Sequence, residues 1–306
     1  MRCLLSISPL AASVVYVDSG STDGSVGVAM SLHAKVVALD MSQPFTAARA
    51  RNAGLCRLHD ELPAVKYVQF LDGDCEMVPG WLNKATEFLA DNSRVAAVCG
   101  RRRERFPERS IYNRLCDLEW DTPVGQALAC GGDVLMRACA LAQVGGYRDD
   151  LIAGEEPELC VRLRANGWQV WRLEAEMTLH DAAMTRFSQW WKRSVRAGHA
   201  FAEGAHLHGA PPERHWVRES RSAWLWGLCL PAVLLLASAV WPKALVGFVI
   251  YPLQVLRLFL KGSGAPGTRL ARAFFLVVGK FAEAMGQCRY VLQRVQGRPV
   301  RLIEYK

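Results

Sequence analysis

Several common signals are missing from this chain. Its 10 cysteines contain no Cys-x-x-Cys pair. That excludes the usual zinc modules and fits cysteine used as a small core residue in a reducing compartment. There is no internal repeat and no low-complexity tract. Acidic residues are scarce at the end: from Lys261 onward nine Lys or Arg stand against two Asp or Glu, so +7 of the formal +8 charge lies there. This basic tail directly follows an apolar stretch, so a membrane surface explains it better than nucleic acid does. Arg101-Arg102-Arg103 is the other basic cluster, read either as a solvated loop or as a phosphate-facing patch. An apolar content of 51% with 10 Trp excludes wholesale disorder. The 306 residues allow one large α/β domain and an extra segment. Residues 1–12 resemble a signal peptide only superficially, because the apolar run is short, is broken by Pro9 and leads at once into a strand.

Strand and helix signals alternate through the first two thirds. Residues 13–17 form a β-branched apolar run that ends in the turn sequence Asp18-Ser19-Gly20-Ser21-Thr22-Asp23-Gly24. A helix is expected over about 25–32, a strand over 36–39 and a helix over 46–59. A third strand over 67–71 ends at Asp72-Gly73-Asp74, and a helix over 79–91 and a strand over 95–98 follow. Such alternation implies parallel pairing, with ligands bound at the carboxyl ends of the strands. Residues 111–129 are less regular. Gly131-Gly132-Asp133 precedes a short apolar run, Glu156 opens a helix ending near Gly167, and a late strand over 168–173 precedes His180. Residues 187–198 form an aromatic, basic helix.

Composition changes at Ala223. Residues 223–240 are 18 positions without a charge; Trp241-Pro242-Lys243 breaks the run, and residues 244–256 add 13 more. A spanning helix needs about 20 apolar residues. The first run is a good spanning candidate and the second a marginal one, with Trp224, Trp226, Trp241 and Tyr251 suited to the interfaces. The alternative is a buried helical hairpin. Residues 270–295 are amphipathic and suited to a membrane surface. The expected division is a catalytic region over 1–209, a linker over 210–222, a hydrophobic hairpin over 223–260 and a basic tail over 261–306.

Chemistry concentrates at the strand ends. Two carboxylates two residues apart, Asp72 and Asp74, suit a hard divalent cation such as Mg²⁺ or Mn²⁺ that bridges phosphates; Glu76 is a lesser candidate. Asp18, with Ser19 and Ser21, can meet a base or ribose, or simply form an Asx turn. Arg51, on a helix between these strands, suits a diphosphate or a surface salt bridge. His180 is either a surface group or a third metal ligand. In Glu155-Glu156 one carboxylate can serve as a base for a hydroxyl, its pKa raised by the other; equally, acids favour a helix N-terminus.

Taken in order, Asp18-Ser-Gly-Ser-Thr-Asp23-Gly, Arg51-Asn52-x-Gly54, Asp72-Gly-Asp74, Gly131-Gly-Asp133, Gly154-Glu-Glu156 and His180 resemble the family 2 glycosyltransferases over residues 14–198. The resemblance implies an α/β fold of GT-A type, a Rossmann-like mixed sheet with flanking helices, and inverting transfer from a nucleoside diphosphate sugar. It implies nucleotide-sugar contacts at Asp18, Ser19, Ser21, Asp23, Arg51, Asn52, Asp72 and Asp133, and Mg²⁺ or Mn²⁺ at Asp72, Asp74 and His180. By it, Glu156 is the base, with Glu155 the other candidate. The Gln-x-x-Arg-Trp motif of processive synthases is not evident; Gln189-Trp-Trp-Lys192 is a loose echo, which favours single addition to a saccharide or lipid-linked acceptor at the cytoplasmic membrane face. The family's usual first strand is not matched before residue 14, and an inactive scaffold is one alternative on that account. A nucleotidyltransferase is the other, though it would want a glycine-rich basic loop near the start.

Overall fold

The computed structural model describes residues 1–7 and 10–297. The chain forms two compact units, Met1–Ala183 and a second beginning at Met184. The end of the basic tail, residues 298–306, lies outside the described residues.

The first unit runs α1 (Arg2–Ile7), β1 (Val15–Asp18), α2 (Ser25–Ser31), β2 (Lys35–Ala38), α3 (Ala47–Glu61), β3 (Tyr67–Phe70), β4 (Cys75–Met77), α4 (Trp81–Asp91), β5 (Val95–Glu104), α5 (Ile111–Glu119), β6 (Gly125–Ala127), β7 (Val134–Arg137), α6 (Ala138–Val144), α7 (Glu155–Ala165) and β8 (Gln169–His180). β1 and β2 pair in parallel as a separate two-stranded sheet. The main sheet has the order β3-β7-β5-β8-β4, with β6 also on β8. Only β5 and β8 pair in parallel within it; β3 with β7, β5 with β7, β8 with β4 and β6 with β8 are antiparallel. The parallel pairing read from strand–helix alternation therefore holds for two pairs, and the sheet is mixed.

The strands ending at Asp18 and at Asp72 belong to different sheets, and α1 contacts both parts. Leu4 packs with Ala29 and Ala34 under β1 and β2, while Ile7 touches both that cluster and the main core. The Cys3 thiol reaches the Asp72 carbonyl at 3.6 Å, and the Ser6 hydroxyl accepts from the Met77 amide at 3.0 Å. The main core lies between the large sheet and its helices, with Trp81, Leu89, Met136, Leu141, Leu159 and Leu163 almost fully buried. Burying one such side chain stabilises the fold by about 1.5–3 kcal/mol.

β5 is 10 residues long and β8 is 12, well past the apolar runs that announce them. Their polar ends stay in the sheet because each charge finds a partner: Arg101 meets Asp117 at 3.1 Å and Arg103 meets Glu176 at 2.8 Å. The strands thus carry Glu104 and His180 side by side in register.

In the second unit α8 (Phe187–His208) packs against α12 (Pro266–Val295). A side chain at Gly198 would collide with the Glu283 backbone, and one at Gly286 with the Val195 backbone, so both positions require glycine for this close crossing. Between them, α9 (Val217–Trp224), a π turn over Leu225–Cys229 and α10 (Leu230–Val240) make one continuous helix. A 3₁₀ segment (Pro242–Val249) and α11 (Ile250–Lys261) make the next. The Tyr251 hydroxyl donates to the Trp226 carbonyl inside the π turn at 2.7 Å, which satisfies a group the wider turn displaces. The two helices, Val217–Val240 and Pro242–Lys261, have mean hydropathies of 2.0 and 1.6 and are 6% buried, so both are long and apolar enough to cross a membrane.

Candidate active site

β1 delivers Asp18 into a tight turn in which its Oδ2 accepts from the Gly20 and Ser21 amides at 2.9 and 3.1 Å. The Ser21 side chain, and then these amides, hold the carboxyl below the usual range against the effect of burial. Asp18 Oδ1 is buried and makes no hydrogen bond, so one acceptor is left for a bound group. Asp23 does something different: it accepts from the Ser25 amide and hydroxyl at the start of α2. Ser19 and Ser21 are exposed.

α3 supplies the hub of the site. Arg51 lies 2.9 Å from Asp72 Oδ1, 2.9 Å from Glu155 Oε1 and 2.7 Å from Glu156 Oε1. Its neighbour Asn52 uses both ends of its amide. Nδ2 donates to the Tyr147 carbonyl and to Asp149 at 2.7 Å each, and Oδ1 accepts from the Tyr147 amide at 2.9 Å. This ties down the loop that leads to Gly154, whose φ of 81° starts α7. The acid pair is consequently held against the strand end carrying Asp72. A Cβ at Gly132 would stand 2.6 Å from Arg51 Nη2 and 2.8 Å from Asp72 Oδ2, so a larger residue must displace this ion pair.

The two kinds of carboxyl on this guanidinium behave oppositely. Burial raises Glu156 to about 7, helped by Glu155 and Asp72 and opposed by Arg51. Burial also works against ionised Asp72, but Arg51 and Arg102 together overcome it and hold that carboxyl at about 2. An acid–base group tuned near neutrality thus stands beside a permanently charged one.

Arg102 is the middle of the three arginines read as either a solvated loop or a phosphate-facing patch, and it was not distinguished from its neighbours by sequence. It bridges Asp72 and Asp133 at 2.8 Å each and lies 5.4 Å from the Trp120 ring. Asp133 also accepts from the Asp72 amide at 3.0 Å and from the Thr178 hydroxyl at 2.7 Å. The signal was the alternation of a strand: of three consecutive arginines, the first and third reach Asp117 and Glu176, and the middle one enters the site. Tyr147, Thr178 and Trp120 carried no local signal.

Asp74 and His180 meet from β4's approach and β8's end, with Nε2 3.3 Å from Asp74 Oδ1. Trp120 packs edge-on against the imidazole, ring centroids 4.8 Å apart. Asp74, Cys75 and His180 offer donor atoms within 4.8 Å of one another, as do Asp72, Cys75 and Asp133. Burial pushes the Cys75 thiol up, and of the first group the solvent-facing carboxylate and the imidazole are the donors suited to a hard cation, a thiol being a soft one. That pair fits a hard divalent cation. Asp72, by contrast, already meets two guanidinium groups. Glu76 pairs with Arg105.

Comparison with known proteins agrees with this picture. Glycosyl transferase family 2 matches residues 2–130; Asp133, Glu155, Glu156 and His180 lie beyond that stretch. No curated protein matches the chain. Among solved structures, the mannosyltransferase PcManGT from Pyrobaculum calidifontis, in complex with GDP-Man and Mn²⁺, is 17% identical, with a TM-score of 0.56 over 92% of this chain and 78% of that one. TarS 1-349 from S. aureus is 14% identical, with a TM-score of 0.50 over 97% and 87%. Glucosyl-3-phosphoglycerate synthase from Mycobacterium tuberculosis is 19% identical, with a TM-score of 0.46 over 68% and 74%. The fold is the GT-A fold, and residues 2–130 match glycosyl transferase family 2.

Proposed function

We propose that the enzyme transfers a single sugar, with inversion, from a nucleoside diphosphate sugar to an acceptor hydroxyl in polysaccharide or glycolipid assembly. The observation that carries this reading is the Arg51 hub, which gathers Asp72, Glu155 and Glu156 around one guanidinium from distant positions in the sequence. The Pyrobaculum mannosyltransferase, bound to GDP-Man and Mn²⁺, supports the donor class and the cation.

In this reading Asp18 accepts from the nucleoside through its unpartnered oxygen, and Arg51 and Arg102 present positive charge toward the diphosphate. Asp74 and His180 hold Mg²⁺ or Mn²⁺, which when bound would offset the charge of the leaving diphosphate. Asp133 orients Arg102 and stands near the sugar. Glu156 takes the proton of the acceptor hydroxyl as its oxygen attacks the anomeric carbon from the face opposite the diphosphate. A carboxyl near 7 is well matched to that task, and Glu155 keeps it high. The two apolar helices hold the chain at the inner membrane with the catalytic unit in the cytoplasm, beside a saccharide or lipid-linked acceptor.

The test is Glu156→Gln, with donor affinity measured by calorimetry and transfer measured in a single turnover. Donor binding is expected to persist while transfer falls by about 10²–10⁴-fold, the usual worth of a positioned base. Normal transfer by both Glu156→Gln and Glu155→Gln would place the base elsewhere.

A further inference from the structure

Glu104 is a charged side chain with no access to solvent, and nothing in the proposed reaction uses it. It lies at the end of β5, directly opposite His180 on β8. Three donors fix its carboxylate: Oε1 accepts from the Phe106 amide at 3.0 Å and from Asn113 Nδ2 at 3.1 Å, and Oε2 accepts from the Ala182 amide at 2.9 Å. Asn113 is itself anchored at the start of α5, where its amide donates to the Ser110 hydroxyl. The carboxylate is therefore built into the fold with its position set from three sides.

His180 Nδ1 is 4.0 Å from Glu104 Oε2, and this nitrogen is buried without a hydrogen bond. The other nitrogen, Nε2, stands 3.3 Å from the solvent-facing Asp74. The imidazole thus lies between one carboxylate open to a cation and one sealed in the core. Trp120 at the far end of α5 packs edge-on against the ring, so α5 buttresses His180 through both Asn113–Glu104 and Trp120.

We propose that Glu104 is the positioning residue for His180 as a metal ligand, an inference that rests on the cation reading of Asp74 and His180. When Nε2 gives its lone pair to a cation, the ring proton must sit on Nδ1. A buried Nδ1–H without an acceptor would be costly. Closing the 4.0 Å gap by about 1 Å supplies a charge-assisted hydrogen bond. The carboxylate then fixes the tautomer, fixes the ring orientation and raises the basicity of Nε2, as outer carboxylates behind metal-bound histidines do.

The test uses the detergent-solubilised full chain and Mn²⁺ alone. Electron paramagnetic resonance gives the Mn²⁺ affinity, and electron spin echo modulation detects a coordinated imidazole nitrogen. Glu104→Gln keeps the size and, with its oxygen in the Oε1 place, the acceptor for Phe106 and Asn113, but it removes the charge and turns an NH2 toward the Ala182 amide and His180. It is expected to weaken Mn²⁺ binding by about 10–100-fold and to diminish the nitrogen modulation, with cooperative thermal unfolding showing that the variant is folded. Glu104→Asp, which withdraws the charge from Nδ1 by one methylene, is expected to do the same and decides the matter if the Gln variant does not fold. Wild-type Mn²⁺ affinity and modulation in a folded variant would overturn the proposal for Glu104 alone. Absence of the nitrogen signal in the wild-type protein would overturn the cation reading itself.

Discussion

Replacing Arg51 by methionine removes the guanidinium while keeping much of the side chain's length. Glu155 and Glu156 then face one another without this counter-ion, while Asp72 keeps Arg102. Glu155 and Glu156 are the costly ones, with side chains 6% and 11% exposed, whereas Asp72 at 34% is partly screened by water. Removing one partner of a buried ion pair costs about 3–5 kcal/mol. For a unit the size of Met1–Ala183 that corresponds to a fall of roughly 6–20 °C in melting temperature. The pH dependence has a definite sign. Arg51 opposes the burial that raises Glu156, so without it that carboxyl moves further above about 7. A carboxyl whose folded pKa exceeds its unfolded value destabilises the fold increasingly as pH rises between the two. The deficit should be smallest near pH 5 and largest above pH 8. Thermal unfolding of the full chain followed by tryptophan fluorescence at several pH values measures it. A melting temperature within 2 °C of wild type at pH 8 would refute the reasoning, as would a deficit that grows toward acid pH.

Gly132→Ala should lower transfer by about a hundredfold, because the new Cβ displaces Arg51 and Asp72 at 2.6–2.9 Å and misplacements near 1 Å carry costs of that order; steady-state kinetics with melting temperature as the control checks this. Transfer should rise roughly tenfold per pH unit below about 7 and level off above it, since Glu156 must be ionised to accept a proton and its carboxyl sits at about 7. In Glu156→Gln that limb of the pH–rate profile should disappear. The full chain should resist carbonate extraction from membranes, and a chain ended after Gly209 should move to the soluble fraction, because both helices with spanning length lie beyond that point.

Much of the first unit was legible because local and tertiary preferences agree there. A β-branched run does end at Asp18, an apolar strand does end just before Asp72, and the acid pair does open α7. The run of three arginines was not legible as strand. Its charges oppose burial in any single-sequence reading, and acidic partners elsewhere in the chain, among them Asp72, Asp117, Asp133 and Glu176, make a β conformation tolerable. Long-range pairing at Arg172 and Glu176 likewise accompanies β8 beyond the apolar residues at its start to His180. The separate sheet of β1 and β2 was hidden for another reason: strand–helix alternation does not say which sheet a strand joins, and α1, which packs beside these strands, is only six residues long. At the site, the carboxylates were visible as motifs and Arg51 as a candidate for a diphosphate or a salt bridge, but which carboxylates Arg51 gathers was not. Nothing local to Glu104 indicates that it lies beside His180.

The central claim is metal-dependent sugar transfer through Asp74. Its most direct test is turnover of a panel of nucleoside diphosphate sugars by the full chain with Mn²⁺ or Mg²⁺, with and without a chelator, beside folded Asp74→Asn. The account predicts that at least one donor is consumed, that the chelator stops the reaction, and that Asp74→Asn lowers turnover by several orders of magnitude, consistent with loss of charge stabilisation at the leaving group. Turnover that ignores both the chelator and Asp74→Asn would contradict it.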